Sequence, residues 1–325
     1  MAKLTIVEAV RNALDVEMER DDRVVVLGED VGVNGGVFRA TDGLFNKYGD
    51  HRVIDTPLSE SGIVGVSIGM ALQGMRPVAE IQFDGFTYPA MDQMFSHAAR
   101  IRNRTRGRYT CPLVLRFPYG GGIRALEHHN ESPETHFIHT PGLKVVIPSN
   151  PYDAKGLLIA SIRSPDPVVF MEPKRIYRAI RDEVPEGAYA VEIGKANIVR
   201  EGTDVTLIAW GAMVREAVKA ADLSAAKGIR AEIIDVRTLS PCDYDTIFAS
   251  VQKTGRAVVV HEAPRTLGFG AEIAARIQEK LLLYLKAPVM RVTGYDTPFP
   301  YFKLEEEYLP SPKRIDDAIE QVVKY

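Results

Sequence analysis

Short runs of β-branched and aliphatic residues recur along this 325-residue chain with helix-period segments between them, and the pattern runs through twice. Val24-Val-Val-Leu27 follows a segment, 5–19, in which Val7, Val10, Leu14 and Met18 share one helical face. Further strand-like runs fall at 52–54, 77–82, 113–117, 144–147 and 167–171, with helical patterns over 63–72, 89–103 and 153–163. A strand buried on both faces shows an unbroken apolar run, and strands that take turns with helices build a parallel sheet covered on both sides. Prolines and charges then break the rhythm over 172–202, which reads as a connection. The alternation resumes with strands over 205–210, 231–235, 257–260 and 289–292, helices over 214–226, 244–251 and 271–282, and a last helix over 314–323. The expectation is an α/β chain of two domains, each a mainly parallel sheet flanked by helices: residues 1–185, a linker over 186–202, and residues 203–325. In such sheets ligands sit at the carboxyl ends of the strands.

Charge narrows the partners. Forty basic residues against forty-three acidic ones leave a formal charge of −3, so no broad positive field exists for nucleic acid or an anionic membrane. Cys111 and Cys242 follow no metal-ligand spacing and make no disulfide framework. The first residues lack the apolar core of a signal segment, and no run approaches the ~18 apolar residues of a membrane span. A cytoplasmic protein is expected.

Several residues stand out for chemistry. Glu60 is a carboxylate in the apolar, glycine-broken run 55–74, where burial would raise its pKa and favour a shared proton. The alternative is a helix start, with Ser59 as cap and Glu60 complementing the first turn's dipole. His128 and His129 lie in the glycine-rich stretch 120–131 after an apolar strand, either as proton-exchanging groups or as two solvated histidines on a surface loop. Gly268-Phe-Gly270 follows a strand and opens a helix, but the third glycine of a dinucleotide fingerprint is missing, and a tight loop is the better reading. Arg100, Arg102, Arg104, Arg106 and Arg108 alternate, which on a helix scatters them around the axis and suits a solvated or subunit-contact role. Phe83, Phe86 and Tyr88 suit either core packing or stacking on an aromatic ligand.

The runs Leu27-Gly-Glu-Asp-Val-Gly32, Asp55-Thr-Pro-Leu-Ser-Glu-Ser-Gly-Ile63, Ala79-Glu-Ile-Gln-Phe83, Pro141-Gly-Leu-Lys-Val-Val-Ile-Pro148, Asp153-Ala-Lys-Gly-Leu157 and Asp235-Val-Arg-Thr-Leu239 together carry a resemblance. The chain resembles, nearly end to end, the beta subunit of the thiamine-diphosphate-dependent decarboxylating component of 2-oxo acid dehydrogenase complexes. Val168-Val-Phe-Met-Glu-Pro173, His261-Glu-Ala-Pro264 and Gly294-Tyr-Asp-Thr-Pro-Phe-Pro300 look most like the branched-chain type, with the pyruvate type as the alternative. The resemblance implies a pyrimidine-binding first domain and a transketolase-like C-terminal domain for assembly and acyltransferase docking. It implies that Glu60 hydrogen-bonds the pyrimidine ring nitrogen of thiamine diphosphate, with Leu58, Gln82 and Phe86 in the same wall. His129 corresponds to the family histidine near the substrate and lipoyl entrance.

Some relatives hold potassium, and the matching positions are Cys111, Leu113, Val114, Ser161, Ser164 and Asp166. Ser164 stands where an acidic residue is usual. The family's Gly-Asp-Gly and Asn-Asn diphosphate and magnesium motif is absent from the sequence. An alpha subunit is therefore expected to bring the magnesium and the diphosphate end, in an assembly of two alpha and two beta chains. The implied activity is oxidative decarboxylation of a 2-oxo acid with acyl transfer to the lipoyl group of an acyltransferase core. A non-catalytic partner subunit that retains the fold is the remaining alternative.

Overall fold

The computed structural model describes residues 2–325. In chain order the strands are β1 (Ala2–Leu4), β2 (Val24–Gly28), β3 (Val53–Asp55), β4 (Arg76–Glu80), β5 (Val114–Tyr119), β6 (Lys144–Val146), β7 (Val168–Pro173) and β8 (Asp182–Val184). They continue with β9 (Asn197–Arg200), β10 (Val205–Ala209), β11 (Ala231–Asp235), β12 (Thr238–Ser240), β13 (Ala257–Val260) and β14 (Met290–Val292). Two sheets dominate. The first has the order β12-β6-β7-β5-β4-β2-β3, parallel except for β12, and the second has the order β14-β13-β10-β11-β9, parallel except for β9. A small antiparallel pair joins β1 to β8.

The central strands are buried along their whole length, which is why they read as unbroken apolar runs. Helices cover the sheets. Ile6–Arg20 opens with a capping box in which the Thr5 hydroxyl accepts from the Glu8 N–H and Glu8 accepts from the Thr5 N–H. It packs on Pro151–Arg163, which the Asn150 side chain caps.

Besides the unforeseen β1–β8 pair, the structure departs from the sequence reading in three places. Asn197–Arg200, inside the expected linker, forms β9 and pairs antiparallel with β11. Its Ile198 and Val199 stay exposed, so it carries no burial signature. The helix expected over 89–103 is broken into an α-turn (Tyr88–Asp92), a π segment (Gln93–His97), a 3₁₀ turn (Ala98–Arg100) and a short α-helix (Ile101–Arg104). Strand β12, from the second half of the chain, extends the first sheet, with Thr238 opposite Val146.

That last exchange joins the halves. Arg237, just before β12, places Nε 2.9 Å from Asp153 Oδ2 at the head of the 151–163 helix. Ser149 donates to the buried Asp235, whose pKa is pushed up to about 7 by burial and by neighbouring Asp153. Two of the motif runs, 153–157 and 235–239, thus meet in space as the joint between the sheets. At the centre of the first sheet, fully buried Arg116 on β5 lies between Glu80 on β4 and Glu172 on β7. Its Nε is 2.6 Å from Glu172 Oε1 and its second terminal nitrogen 2.8 Å from Oε2, and Tyr177 also donates to Glu172.

Candidate active site

The connections that follow β2 and β4 leave in opposite directions across the first sheet: β2 leads to its outer neighbour β3, and β4 to β5 on the other side. A crevice opens at the carboxyl ends of strands where the order reverses in this way. The sequence-derived candidates gather on that edge, joined there by Glu29, Asp30 and Lys174, which the sequence did not single out. Glu29 and Asp30 follow β2, Leu58 and Glu60 follow β3, Gln82, Phe83 and Phe86 follow β4, the 120–131 loop follows β5, and Lys174 follows β7.

Glu60 is the first residue of the helix Glu60–Leu72, so the carboxylate is aimed by a helix start and complements the dipole there. Ser59 precedes it without making the expected side-chain cap. The setting differs from the buried one expected: Glu60 is half-buried and Leu58 stands 78% exposed. Neither is enclosed by this chain. Burial, the Glu60 charge and then Asp30 raise the pKa of Glu29, which puts Glu29 and Glu60 on one electrostatic surface. Gln82 donates from Nε2 to Asp30 Oδ2 at 3.3 Å, across the gap between β2 and β4.

The aromatic residues link this surface to the histidine loop. The ring centroids of Phe83 and Phe86 are 5.7 Å apart, and the His129 ring lies 4.4 Å from Phe83 and 5.2 Å from Phe86, edge to face. His128 reaches Phe86 at 5.5 Å but is exposed. His129 is held differently. Burial, then the Lys174 ammonium and then His128 lower its pKa, and its Nδ1 is buried without a hydrogen-bond partner. An unpartnered nitrogen on a neutral imidazole is free to take or pass a proton.

Beneath Phe83 lies a pair that no local pattern in the sequence announces. Lys174 Nζ is 2.9 Å from Asp84 Oδ1, both side chains are fully buried, and the ammonium sits 5.8 Å from the Phe83 ring centre. Burial pushes the Asp84 pKa up to about 7 against the pull of Lys174. The partners are 90 residues apart in sequence.

The edge suits the pyrimidine end of thiamine diphosphate in kind: a carboxylate, an amide, an aromatic pair and an exposed leucine lie in the segments that follow β3 and β4. The proposed potassium positions do not fit that ion. They lie near the amino ends of β5 and β7, away from the site edge. Lys144 Nζ donates to Ser164 Oγ at 3.0 Å, Arg102 Nε lies 2.6 Å from Asp166 Oδ1, and the Arg76 guanidinium donates to the Ile162 carbonyl at 2.7 Å and reaches that of Ser164 at 3.4 Å. Ser161 Oγ donates to the Leu157 carbonyl, and the carbonyls of Cys111 and Leu113 each accept one hydrogen bond, from the N–H groups of Leu113 and Val168. Protein cations stand where a metal would draw the oxygens together. Among the described residues no group of three or more His, Cys, Asp or Glu could hold a metal ion.

Gly268 and Gly270 have a packing cause. A Cβ at Gly268 would lie 2.6 Å from His261 Cε1 and one at Gly270 2.8 Å from its Nε2. His261 itself is fully buried, stacked on Trp210 at 5.2 Å, and burial lowers its pKa to about 3. The arginine series is exposed throughout, with Arg102 paired to Asp166 and Arg104 donating to the Ser96 carbonyl. Among the described residues no helix is long and apolar enough to cross a membrane.

Residues 2–179 match the pyrimidine binding domain of the transketolase family, and residues 194–315 match its C-terminal domain. Over 324 residues the chain is 54% identical to the pyruvate dehydrogenase E1 component subunit beta of Acholeplasma laidlawii, covering 100% of this chain and 99% of that one. It is 51% identical to the protein of the same name from Bacillus subtilis (strain 168), with 100% of both covered. A split gene transketolase, solved as an inactive beta4 tetramer, superposes with a TM-score of 0.82 at 22% identity, covering 99% of each chain, a likeness of fold. The relatives do not support the branched-chain expectation, and their names fit the pyruvate alternative better.

Proposed function

Since the chain belongs to the family of beta subunits of the decarboxylating component of 2-oxo acid dehydrogenase complexes, we propose that it acts on pyruvate. It works with an alpha subunit, two of each chain together, and the acyl group passes to the lipoyl arm of an acyltransferase core. The observation that carries this reading is the gathering of Glu60 and His129 on one carboxyl edge of the first sheet, in a chain that matches pyruvate-type relatives over its whole length.

Thiamine diphosphate, when bound between the chains, supplies the carbon nucleophile and electron sink for decarboxylation. Glu60 holds a proton between its carboxylate and a ring nitrogen of the aminopyrimidine, worth about 10²- to 10⁴-fold as a positioned acid–base group. Leu58 and Phe86 would supply apolar surface to that ring, and Gln82 an amide able to hydrogen-bond it. Leu58 is exposed and Glu60 only half-buried in this chain, so the alpha subunit completes their enclosure and excludes water. It also brings the magnesium and the diphosphate contacts. His129, neutral at pH 7 with a free Nδ1, shuttles a proton at the entrance during acyl transfer. Residues 1–185 carry the pyrimidine end and residues 203–325 serve assembly and acyltransferase docking.

The test is co-expression with an alpha chain and assay with pyruvate, 2-oxoglutarate and branched-chain 2-oxo acids. Pyruvate is expected to turn over fastest, and a faster branched-chain substrate overturns the assignment. Glu60→Gln is expected to lower decarboxylation at least a hundredfold in a correctly assembled complex; an unchanged rate removes Glu60 from the reaction.

A further inference from the structure

The 120–131 loop that carries His129 is a compact Ω-loop. The Gly120 N–H donates to the Glu131 carbonyl at 2.9 Å and closes its base. Asn130 Nδ2 reaches back to the carbonyls of Ala125 and Leu126 at 2.8 and 3.0 Å. Those bonds shape the loop from within. They do not fix where it lies over the sheet edge.

Besides the packing of His129 on Phe83 and Phe86, two carboxylates of the other domain hold it there. Glu262, just past β13, is buried, and its Oε2 accepts from the Gly121 N–H at 3.0 Å. Glu305, at the start of the short helix Glu305–Tyr308, is buried too, and its Oε2 accepts from the Arg124 N–H at 3.1 Å. Both bonds run from the second half of the chain to backbone N–H groups at the head of the loop, across 141 and 181 residues. The loop can approach because it has no side chains there: a Cβ at Gly121 would lie 2.5 Å from the Phe299 ring, and one at Gly120 2.8 Å from Glu262 Oε2. Gly120 and Gly122 also take φ of 80° and 95°, which favours glycine.

We propose that Glu262 and Glu305 are positioning residues through which the C-terminal domain holds the 120–131 loop and aims His129 at the mouth of the site. This rests on the reading of His129 given above. A carboxylate that accepts from a backbone N–H makes a stronger bond than a neutral acceptor, and losing either one removes a tie between the loop head and the C-terminal domain, leaving the closure at its base and the packing of His129 on Phe83 and Phe86.

The experiment compares assembled alpha–beta complexes carrying Glu262→Ala, Glu262→Gln, Glu305→Ala and His129→Ala with the unaltered complex. Three readouts are taken: trypsin cleavage after the exposed Arg124, decarboxylation with an artificial electron acceptor, and acylation of an isolated lipoyl domain. Both alanine variants are expected to be cleaved after Arg124 about tenfold faster. Lipoyl acylation should fall by a similar factor while decarboxylation stays within about twofold. The Gln variant keeps an acceptor oxygen and should recover most of both losses. Unchanged cleavage in both alanine variants overturns the proposal. So does faster cleavage with normal acylation in a series where His129→Ala is impaired. If His129→Ala itself acylates normally while cleavage accelerates as expected, the holding of the loop stands and the role of His129 falls. Should Glu262→Ala fail to assemble, Glu305→Ala and Glu262→Gln decide the matter.

Discussion

Replacing Glu134 with Gln should stabilise the protein at neutral pH and weaken it slightly in mild acid. Glu134 opens the short helix Glu134–Ile138 and is fully buried. Burial, reinforced by the charge of Glu262, pushes its pKa up from 4.5 to about 8, against weaker opposition from its own backbone N–H and the Trp210 indole. A carboxyl whose folded pKa lies above its unfolded one holds its proton in the folded state where the unfolded chain has released it. Its contribution is therefore fully present below pH 4.5 and is lost as pH rises through 8. Each pH unit in that window costs about 1.4 kcal/mol, so about 3 kcal/mol is gone by pH 7. Gln removes the titration but brings an amide N–H₂ whose unmet hydrogen bonds cost about 1 kcal/mol. The net is a gain of about 2 kcal/mol at pH 7 and a loss of about 1 kcal/mol at pH 4.5. Urea unfolding of the assembled protein at pH 5, 7 and 8 measures this, followed by the fluorescence of Trp210, the single tryptophan of the chain. A difference between variant and parent that does not change with pH refutes the reasoning.

Two further outcomes follow from the same interior. Arg116→Met should destabilise the chain by about 3–5 kcal/mol in urea unfolding, because it strands Glu80 and Glu172 without their cation; adding Glu80→Gln and Glu172→Gln should return much of the loss. Exchanging potassium for sodium at constant ionic strength should leave the thermal midpoint unchanged, since Lys144 and Arg102 already occupy Ser164 and Asp166. A midpoint raised several degrees by potassium alone would show that the ion displaces them.

How much was legible follows from how far each signal travels along the chain. Val24–Leu27, Ala231–Asp235 and Ala257–Val260 read as strands because both faces of each are buried, so the apolar pattern is local and complete. Glu60 and His129 were singled out as candidates through the contiguous runs around them and the family resemblance those runs carry. Strand β9 was missed because its residues are half-exposed and only pairing with β11 makes it a strand. The 89–103 helix was over-read because π and 3₁₀ turns keep a helical side-chain period while changing the backbone.

The sequence alone determined the α/β class, the two alternating halves, the family and the absence of the motif that would bind the diphosphate, because each of these is written in consecutive residues. Only the tertiary structure decided that Lys174 pairs with Asp84 beneath Phe83, that β12 crosses into the first sheet, and that Glu262 and Glu305 reach the His129 loop. It also decided that protein cations stand at the potassium positions. These partners lie 20 to 181 residues apart in sequence. A buried charge must find its counter-charge or hydrogen bond wherever the fold brings one close, and that requirement leaves no local pattern in the chain.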